Sequence, residues 1–332
     1  MIRSFAFTTQ GRLHSQDLEP FLMPTLLADT TLFLWVDLEA ATPEEVSLTL
    51  ENTFHFHPLS IEDCVTTSLT PKVEEYFPKE DDRFTPYMFM VIHAVDYSRK
   101  DGVFATKELD FFLGKNFLVT CHETSLRSVQ TVAERCVRSN AHIARAPDRV
   151  AHSLLDELIE NYKPALESLS LEISQTEQEV LARPEARILS RINQLKKEVL
   201  HLRQIIGPQR EVLARFSHGD FQLIRPRMVP YYRDLYDALF RINEMAQSYD
   251  DTLTNILQLH LSVSANQTSE VVKLLTMITV ITTPLMMVGT WYGMNFEGMP
   301  ELKRSWGYPM AASVMAVSTF LTYWYFKKKR WL

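Results

Sequence analysis

Residues 274–296 read LLTMITVITTPLMMVGTWYGMNF, a stretch without one charged side chain that closes on Tyr292-Gly293-Met294-Asn295. A second uncharged run extends from Ser305 to Phe326 and is followed at once by Lys327-Lys328-Lys329-Arg330. About 20 apolar residues suffice for a helix to cross a bilayer, so each run is long enough. The expected C-terminal arrangement is a hairpin of spans at about 274–294 and 306–326, joined by a short loop holding Glu297 and Glu301. Basic residues favour the cytoplasmic side. That rule puts the Lys/Arg cluster and both termini in the cytoplasm and the Gly-Met-Asn turn outside, in a multi-pass protein of the cell inner (plasma) membrane.

Composition hides this feature. A mean hydropathy of −0.11 with 23% charged residues describes a water-soluble protein, because the two runs are a small part of the 332 residues. Met1 to Gln10 lacks the apolar core and small-residue cleavage site of a signal peptide, so the large remainder is expected in the cytosol. Cys64, Cys121 and Cys136 are odd in number and widely spaced, which suits a reducing compartment and implies no disulfide framework. Residues 273–332 hold seven Lys and Arg against Glu297 and Glu301, a net of +5. The chain total of −7 therefore leaves −12 on residues 1–272. So acidic a body argues against nucleic acid as a partner, since phosphate backbones are bound by Lys and Arg.

The fold class expected is an α+β membrane protein in three parts: a cytosolic α/β domain over 1–145, a helical bundle and stalk over 146–272, and a transmembrane hairpin with a basic tail over 273–332. Strand-like runs are Ile2 to Thr8, Thr31 to Leu38, Pro86 to Val95, Leu109 to Leu113 and Phe117 to Cys121, the last two joined as a hairpin by Gly114-Lys115-Asn116. Thr42-Pro43-Glu44-Glu45 has the form of a helix start. From Val150 on, Leu154, Leu158, Tyr162, Leu166, Leu169 and Ile173, then Ile188, Ile192, Leu195, Val199, Leu202 and Ile206, recur at helical spacing. Pro164 is expected to kink the first of these helices, and Arg183-Pro184 and Gly207-Pro208 to mark turns or bends. Tyr231 to Thr283 contains neither Gly nor Pro. As one helix it would be roughly 80 Å long and run from the cytosolic part into the first span; the alternative is two helices with a turn near Ser262 to Asn266.

A two-helix hairpin satisfies its own backbone but encloses no lumen, so a path for ions needs several copies. Helices around such a path carry small or polar residues on one stripe. Counting back from Asn295 by threes and fours meets Thr290 or Trp291, Met286 or Met287, Thr283, Thr279, Thr276 or Leu275, Val272 and Ser269. The second run shows Ala311, Ala312, Val314, Met315, Val317, Phe320 and Leu321 all round, so the first is the pore candidate and the second faces lipid. Intrahelical bonding of the threonines to their own preceding turn is the competing explanation. Gly293 is expected to end the helix in a left-handed or sharply turned backbone, and Asn295 to offer a neutral amide oxygen. Mg²⁺ gives up its water reluctantly, so a ring of neutral acceptors can hold it through its hydration shell, and Glu297 and Glu301, repeated in each copy, would concentrate cations at the mouth.

The segments Tyr292-Gly293-Met294-Asn295-Phe296, Met299-Pro300-Glu301-Leu302, Trp306-Gly307-Tyr308-Pro309 and Tyr325-Phe326-Lys327-Lys328-Lys329-Arg330-Trp331-Leu332 resemble the CorA family of magnesium transporters. So do His57-Pro58-Leu59-Ser60-Ile61-Glu62-Asp63-Cys64, Pro71-Lys72-Val73-Glu74-Glu75-Tyr76 and Val229-Pro230-Tyr231-Tyr232-Arg233-Asp234, and the similarity spans nearly the whole chain. The resemblance implies a funnel-shaped homopentamer whose long helices form the pore. Gly293, Met294 and Asn295 become the selectivity filter, and Val272 and Leu275 an apolar constriction, with Thr279, Thr283, Met286 and Thr290 along the same line. Ser269 and Val272 depart from the family, where Asn and Met are usual. The resemblance also implies Mg²⁺ as both substrate and regulatory ligand, with no further cofactor. Asp234 would share the regulatory ion with Asp96 or Asp101 of a neighbouring copy.

Nothing points to an enzyme. Cys64 beside Asp63 lacks an oxyanion site and an orienting partner, and His55, His57 and Cys121-His122 lack a second pair at zinc-ligand spacing. No Walker loop occurs, so ATP hydrolysis is not expected to drive transport; the membrane potential can, at about 4.6 kcal/mol per 100 mV for a divalent cation. Three functions stay open: channel-like Mg²⁺ uptake with Co²⁺ and Ni²⁺ as side substrates, Zn²⁺ transport with proton coupling on the same architecture, and a non-conducting sensor or scaffold. Partners are further copies of the chain, membrane lipid and divalent cations.

Overall fold

A computed structural model describes the chain apart from residues 67–69, 81, 101–102, 139–141, 183–184, 295–298, 301–303, 330 and 332, with backbone alone for 96–100, 103–105 and 186. Asn295, Glu297, Glu301 and Asp101 thus lie outside the described residues, as does the Arg183-Pro184 turn. The chain forms two compact units, one of Met1–Gln178 with Ala186–Ile256 and one of Glu179–Glu185 with Leu257–Leu332. Residue 145, the boundary expected from sequence, falls inside the first.

The first unit is built on strands β1 (Ile2–Thr8), β2 (Leu13–Gln16), β3 (Leu32–Glu39), β4 (Lys72–Tyr76), β5 (Tyr87–Lys100), β6 (Val103–Gly114) and β7 (Phe117–His122). They form one seven-stranded sheet in the order β2-β1-β3-β7-β6-β5-β4, with β3 and β7 parallel and the other pairs antiparallel. β2 and β4 escape a pattern search because each lies at an edge and faces water, so polar residues break the apolar alternation. β5 and β6 run beyond the expected limits for a similar reason: Lys107, Glu108 and Asp110 sit among apolar neighbours yet keep register with Ala94, His93 and Val91. The β6–β7 turn needs its glycine through proximity, since a Cβ at Gly114 would stand 2.2 Å from the Phe117 ring.

Helices α1 (Met23–Ala28), α2 (Pro43–Val46) and α3 (Pro58–Val65), with a π-helical turn over Ser47–Thr53, accompany one apolar layer. Leu34, Val36 and Leu38 of β3 join Phe54, Phe56, Tyr87, Phe89 and Phe112 there. The start of α2 follows the sequence expectation as a capping box: Glu45 N–H donates to Thr42 Oγ1 at 3.2 Å, and Thr42 N–H to Glu45 Oε2 at 2.9 Å. Helix α4 (Arg127–Val137) packs on α5 (Pro147–Glu160), and α5 in turn packs on β3, β5, β6 and β7.

Two proline expectations are corrected. The helix after Val150 is divided at Asn161, so that Pro164 sits in the first turn of α6 (Tyr162–Ala182), where a missing N–H costs nothing. Gly207-Pro208 marks no turn: α7 (Ala186–His218) runs through it, with Ile206, Val212 and Leu213 buried on either side of the lost hydrogen bond. Finally α8 (Val229–Tyr292) is a single helix of 64 residues that also passes Pro284, at ~1.5 Å per residue about 95 Å long, which removes the two-helix alternative. Its C-terminal part and α9 (Gly307–Lys328) make up most of the second unit.

Candidate functional site

Within the second unit, Ile281 and Leu285 of α8 line a groove of about 580 Å³ with Ala312, Met315, Ala316 and Thr319 of α9. Met277 is buried, and Ile281, Pro284, Val288 and Tyr292 are half-buried; all lie on the same side of α8. At about 100° per residue, Val272, Leu275, Thr279, Thr283, Met286 and Thr290 lie roughly 120–200° round from Ile281. All six are exposed. The fold therefore gathers the pore candidates on one uncovered face of α8, opposite the face covered by α9. Helix α9, expected to present the same apolar surface all round, turns both small residues (Ala312, Ala316, Thr319) and large ones (Met315, Phe320, Tyr323) toward this groove.

The threonines are not idle on that face. Thr276 Oγ1 donates to Val272 O at 2.8 Å, Thr279 to Leu275 O at 2.9 Å, Thr283 to Thr279 O at 2.7 Å and Thr290 to Met286 O at 2.6 Å. The intrahelical bond offered as the competing explanation is thus present at every one of them. It does not compete, because a hydroxyl has one donor and two acceptor lone pairs. With its proton committed to the backbone, each threonine presents only acceptor capacity outward, and the water shell of a cation presents only donors.

Helix α8 ends at Tyr292 and Gly293 follows in a turn, the second of the two expected forms. Its backbone is not left-handed; among the described glycines that conformation belongs to Gly11 and Gly219. Gly293 N–H donates to Gly289 O at 3.0 Å, and a Cβ built on Gly293 would stand 2.9 Å from that oxygen. Closeness of the chain to itself demands the glycine here. Met294 follows as a bend, its N–H reaching Trp291 O at 3.4 Å.

Among the described residues one helix, that over Pro226–Tyr292, is long and apolar enough to cross a membrane. Helix α9 has the length, but Ser313, Ser318, Thr319 and Thr322 and four aromatic residues with polar atoms lower its hydropathy. Trp306 and Tyr308 at one end and Tyr323, Trp324 and Tyr325 at the other are placed like the aromatic belts of membrane interfaces, and Lys328 lies 5.3 Å over the Trp324 ring.

Of the proposed regulatory residues, Asp234 is exposed on α8, five residues past Val229 and so beyond a capping position. Asp96 lies on β5 with its backbone alone described. His57 proves to be a helix cap, its Nδ1 accepting from Leu59 N–H at 3.2 Å.

One buried cluster went unread in the sequence. Asp37 and Glu39 of β3 and His122 of β7 bring ligand atoms within 4.8 Å of one another. The Arg3 guanidinium donates to Asp37 at 2.6 Å and contacts Glu39 at 3.4 Å, filling the position a cation would take. Thr120 Oγ1 donates to Asp37 Oδ1 at 2.6 Å, with His122 Nε2 at 3.1 Å from the same oxygen. The available signal was the pair of carboxylates at alternate positions of an otherwise apolar strand. Burial alone would raise the Asp37 pKa, but His122, Thr120 and Arg3 together hold it below the usual range. Burial opposes a charge on His122 too, and the Asp37 carboxylate overcomes it and raises the imidazole. A raised histidine contributes its stability fully below about pH 6.5, the unfolded value, and loses it as pH climbs through the folded value. The depressed Asp37 contributes above about pH 3.9 and loses its share as pH falls through its lower folded value. Stability of the wild type relative to His122→Asn is therefore expected to be largest near pH 5 to 6 and to shrink by pH 9, as read by denaturant midpoints across that range.

A sheet domain, one very long helix and a long apolar stretch toward its end have the make-up of a membrane protein. A family model described as CorA-like Mg2+ transporter protein matches residues 31–328. The cobalt/magnesium transport protein CorA of Thermotoga maritima is 35% identical over 306 residues, 92% of this chain and 85% of that protein. The chain belongs to the CorA family: it is a transporter and not an enzyme. Among solved structures, the complete CorA magnesium transporter of Methanocaldococcus jannaschii matches with a TM-score of 0.80 at 19% identity, covering 99% of this chain and 98% of that one. The ZntB cytoplasmic domain of Vibrio parahaemolyticus matches with a TM-score of 0.55 at 13% identity, over 71% of this chain and 88% of that one. At these identities both likenesses speak for the fold alone.

Proposed function

We propose that the chain carries Mg²⁺ into the cell, with Co²⁺ and Ni²⁺ as further substrates, through a path that several copies build around the exposed face of α8. The observation that carries this reading is the grouping of Val272, Leu275, Thr279, Thr283, Met286 and Thr290 opposite the α9-covered side. Lipid tails could cover the apolar residues of that face, but the outward acceptor lone pairs of Thr279, Thr283 and Thr290 are met by water, and identical faces of further copies enclose a wet axis. Five copies follow the family pattern. The family description and the printed name of the Thermotoga relative support Mg²⁺ and Co²⁺ as cargo. In this reading α8 and α9 both cross the inner membrane, the termini stay in the cytoplasm, and the membrane potential drives entry. Gly293 and Met294 carry the filter with Asn295, whose amide oxygen holds the hydrated ion, and Glu297 and Glu301 gather cations outside it.

Flux into liposomes tests the proposal. Mg²⁺ is expected to enter under an inside-negative potential without a proton gradient. Proton-dependent Zn²⁺ entry in its place would transfer the chain to the zinc reading, and absence of any flux would leave a sensor or scaffold. The valine double variant Thr279→Val with Thr283→Val preserves shape and helix while removing both acceptors, and is expected to slow Mg²⁺ entry roughly ten-fold, each lost hydrogen bond to the ion's water shell being worth about 0.5–1.5 kcal/mol. Regulation is read in the same assay. Asp234 is proposed to share Mg²⁺ with Asp96 or Asp101 of the next copy and so to hold the closed state. Asp234→Ala is then expected to keep conducting at millimolar Mg²⁺ on the cytosolic side, and feedback equal to wild type would remove the assignment.

A further inference from the structure

Inside the first unit, a cavity of about 650 Å³ is lined by Arg12, Arg145, Arg149, Arg225 and Arg227. They come from places remote in sequence: the β1–β2 turn, the approach to and first turn of α5, and the segment just before α8. The rest of the lining is Thr9 and Gln10, so the wall holds no apolar or aromatic side chain. Residues 1–272 carry a net −12, which makes five converging guanidinium groups contrary to the sign of their surroundings. Asp148 answers one of them. Arg225 grips Asp148 with two nitrogens, Nε at 2.6 Å from Oδ2 and Nη2 on Oδ1. Arg149 Nη1 donates to the His142 carbonyl at 2.8 Å. Among the described residues no carboxylate pairs with Arg12 or Arg227.

Like charges collected in one concavity repel unless an anion joins them, and Arg forks match phosphate oxygens two at a time. From the five arginines and the missing apolar wall we infer that this cavity binds a soluble polyphosphate, inorganic or as the phosphate chain of a nucleotide. Orthophosphate is too small and too weakly charged to meet all the arginines at once. Without an aromatic platform the base of a nucleotide is not read, so inorganic tripolyphosphate and ATP bind alike. Mg²⁺ neutralises the phosphate chain and weakens binding. On the transport reading proposed above, on which this clause alone rests, the cavity fills when Mg²⁺ is scarce; the binding itself needs no transport.

Calorimetric titration of the full chain in neutral detergent, free of Mg²⁺, tests the site. Tripolyphosphate and ATP are expected to bind saturably, with dissociation constants within about three-fold of each other and rising with salt, and orthophosphate roughly ten-fold or more weaker. Arg12 and Arg227 are exposed and, among the described residues, without a carboxylate partner, so Arg12→Glu with Arg227→Glu should leave the fold intact and weaken both ligands by roughly ten-fold or more. The mass of the assembled protein is measured on the same samples. No saturable binding by the wild type, or equal binding by the double variant, overturns the inference. So does a double variant whose assembly mass changes, because the arginines would then belong to a contact between copies.

Discussion

Gly293→Ala is expected to reduce Mg²⁺ entry into liposomes by at least about ten-fold, a barrier increase of about 1.4 kcal/mol, while helix content and assembly mass stay as in the wild type. The added methyl meets the Gly289 carbonyl oxygen at 2.9 Å, inside ordinary contact, and that oxygen is also the acceptor of the Gly293 N–H at 3.0 Å. Backbone must move at one end or the other. Met294 and Asn295 come next in the chain, and a site of this kind tolerates displacements of only about 0.5 Å. The comparison that isolates the cause is Gly289→Ala. One turn earlier, a Cβ meets nothing within 4 Å, so uptake there is expected to stay close to wild type. If both alanine variants transport normally, the close approach at Gly293 is not what shapes the filter.

Asp37→Ala is expected to destabilise the sheet unit by about 3–5 kcal/mol, the usual result of removing one partner from a buried ion pair. The carboxylate is 1% exposed and ties three strands: Arg3 from β1, and Thr120 and His122 from β7, all bonded to its two oxygens. Without it the His122 imidazole and the Arg3 guanidinium face each other across an emptied site. Hydrogen exchange of the β1, β3 and β7 amides reports the loss where it occurs, and Arg3→Met with Asp37→Leu should recover much of it by replacing the pair with apolar volume. A change below about 1 kcal/mol would mean that water enters and solvates the two cations.

Much of the architecture was legible because it depends on neighbours in sequence. Charge is absent from 274–296 whatever the chain packs against, the Thr42-Pro43-Glu44-Glu45 helix start is satisfied by its own residues, and Gly114-Lys115-Asn116 joins two strands that follow one another. The prolines misled because their effect depends on context: Pro164 falls where no N–H is needed, and Pro208 lies inside α7 between buried neighbours. The edge strands β2 and β4 were hidden because half of each faces water and need not be apolar.

The amino-acid sequence alone determined that an uncharged run ends in Gly-Met-Asn, that a stretch without Gly or Pro leads up to Thr283, and that threonines recur on one helical stripe, since periodicity sets the angle between residues on a helix, whereas the choice of one helix over two fell to the structure. Tertiary structure decided which side of that helix is covered. Only the packing of α9 against Ile281 and Leu285 leaves Thr279, Thr283 and Thr290 in the open, and only folding brings Arg3, Asp37 and His122 to one point or five arginines from 12 to 227 around one cavity. Spacing along a chain fixes directions within an element, whereas contact between distant elements follows from how their faces exclude water together.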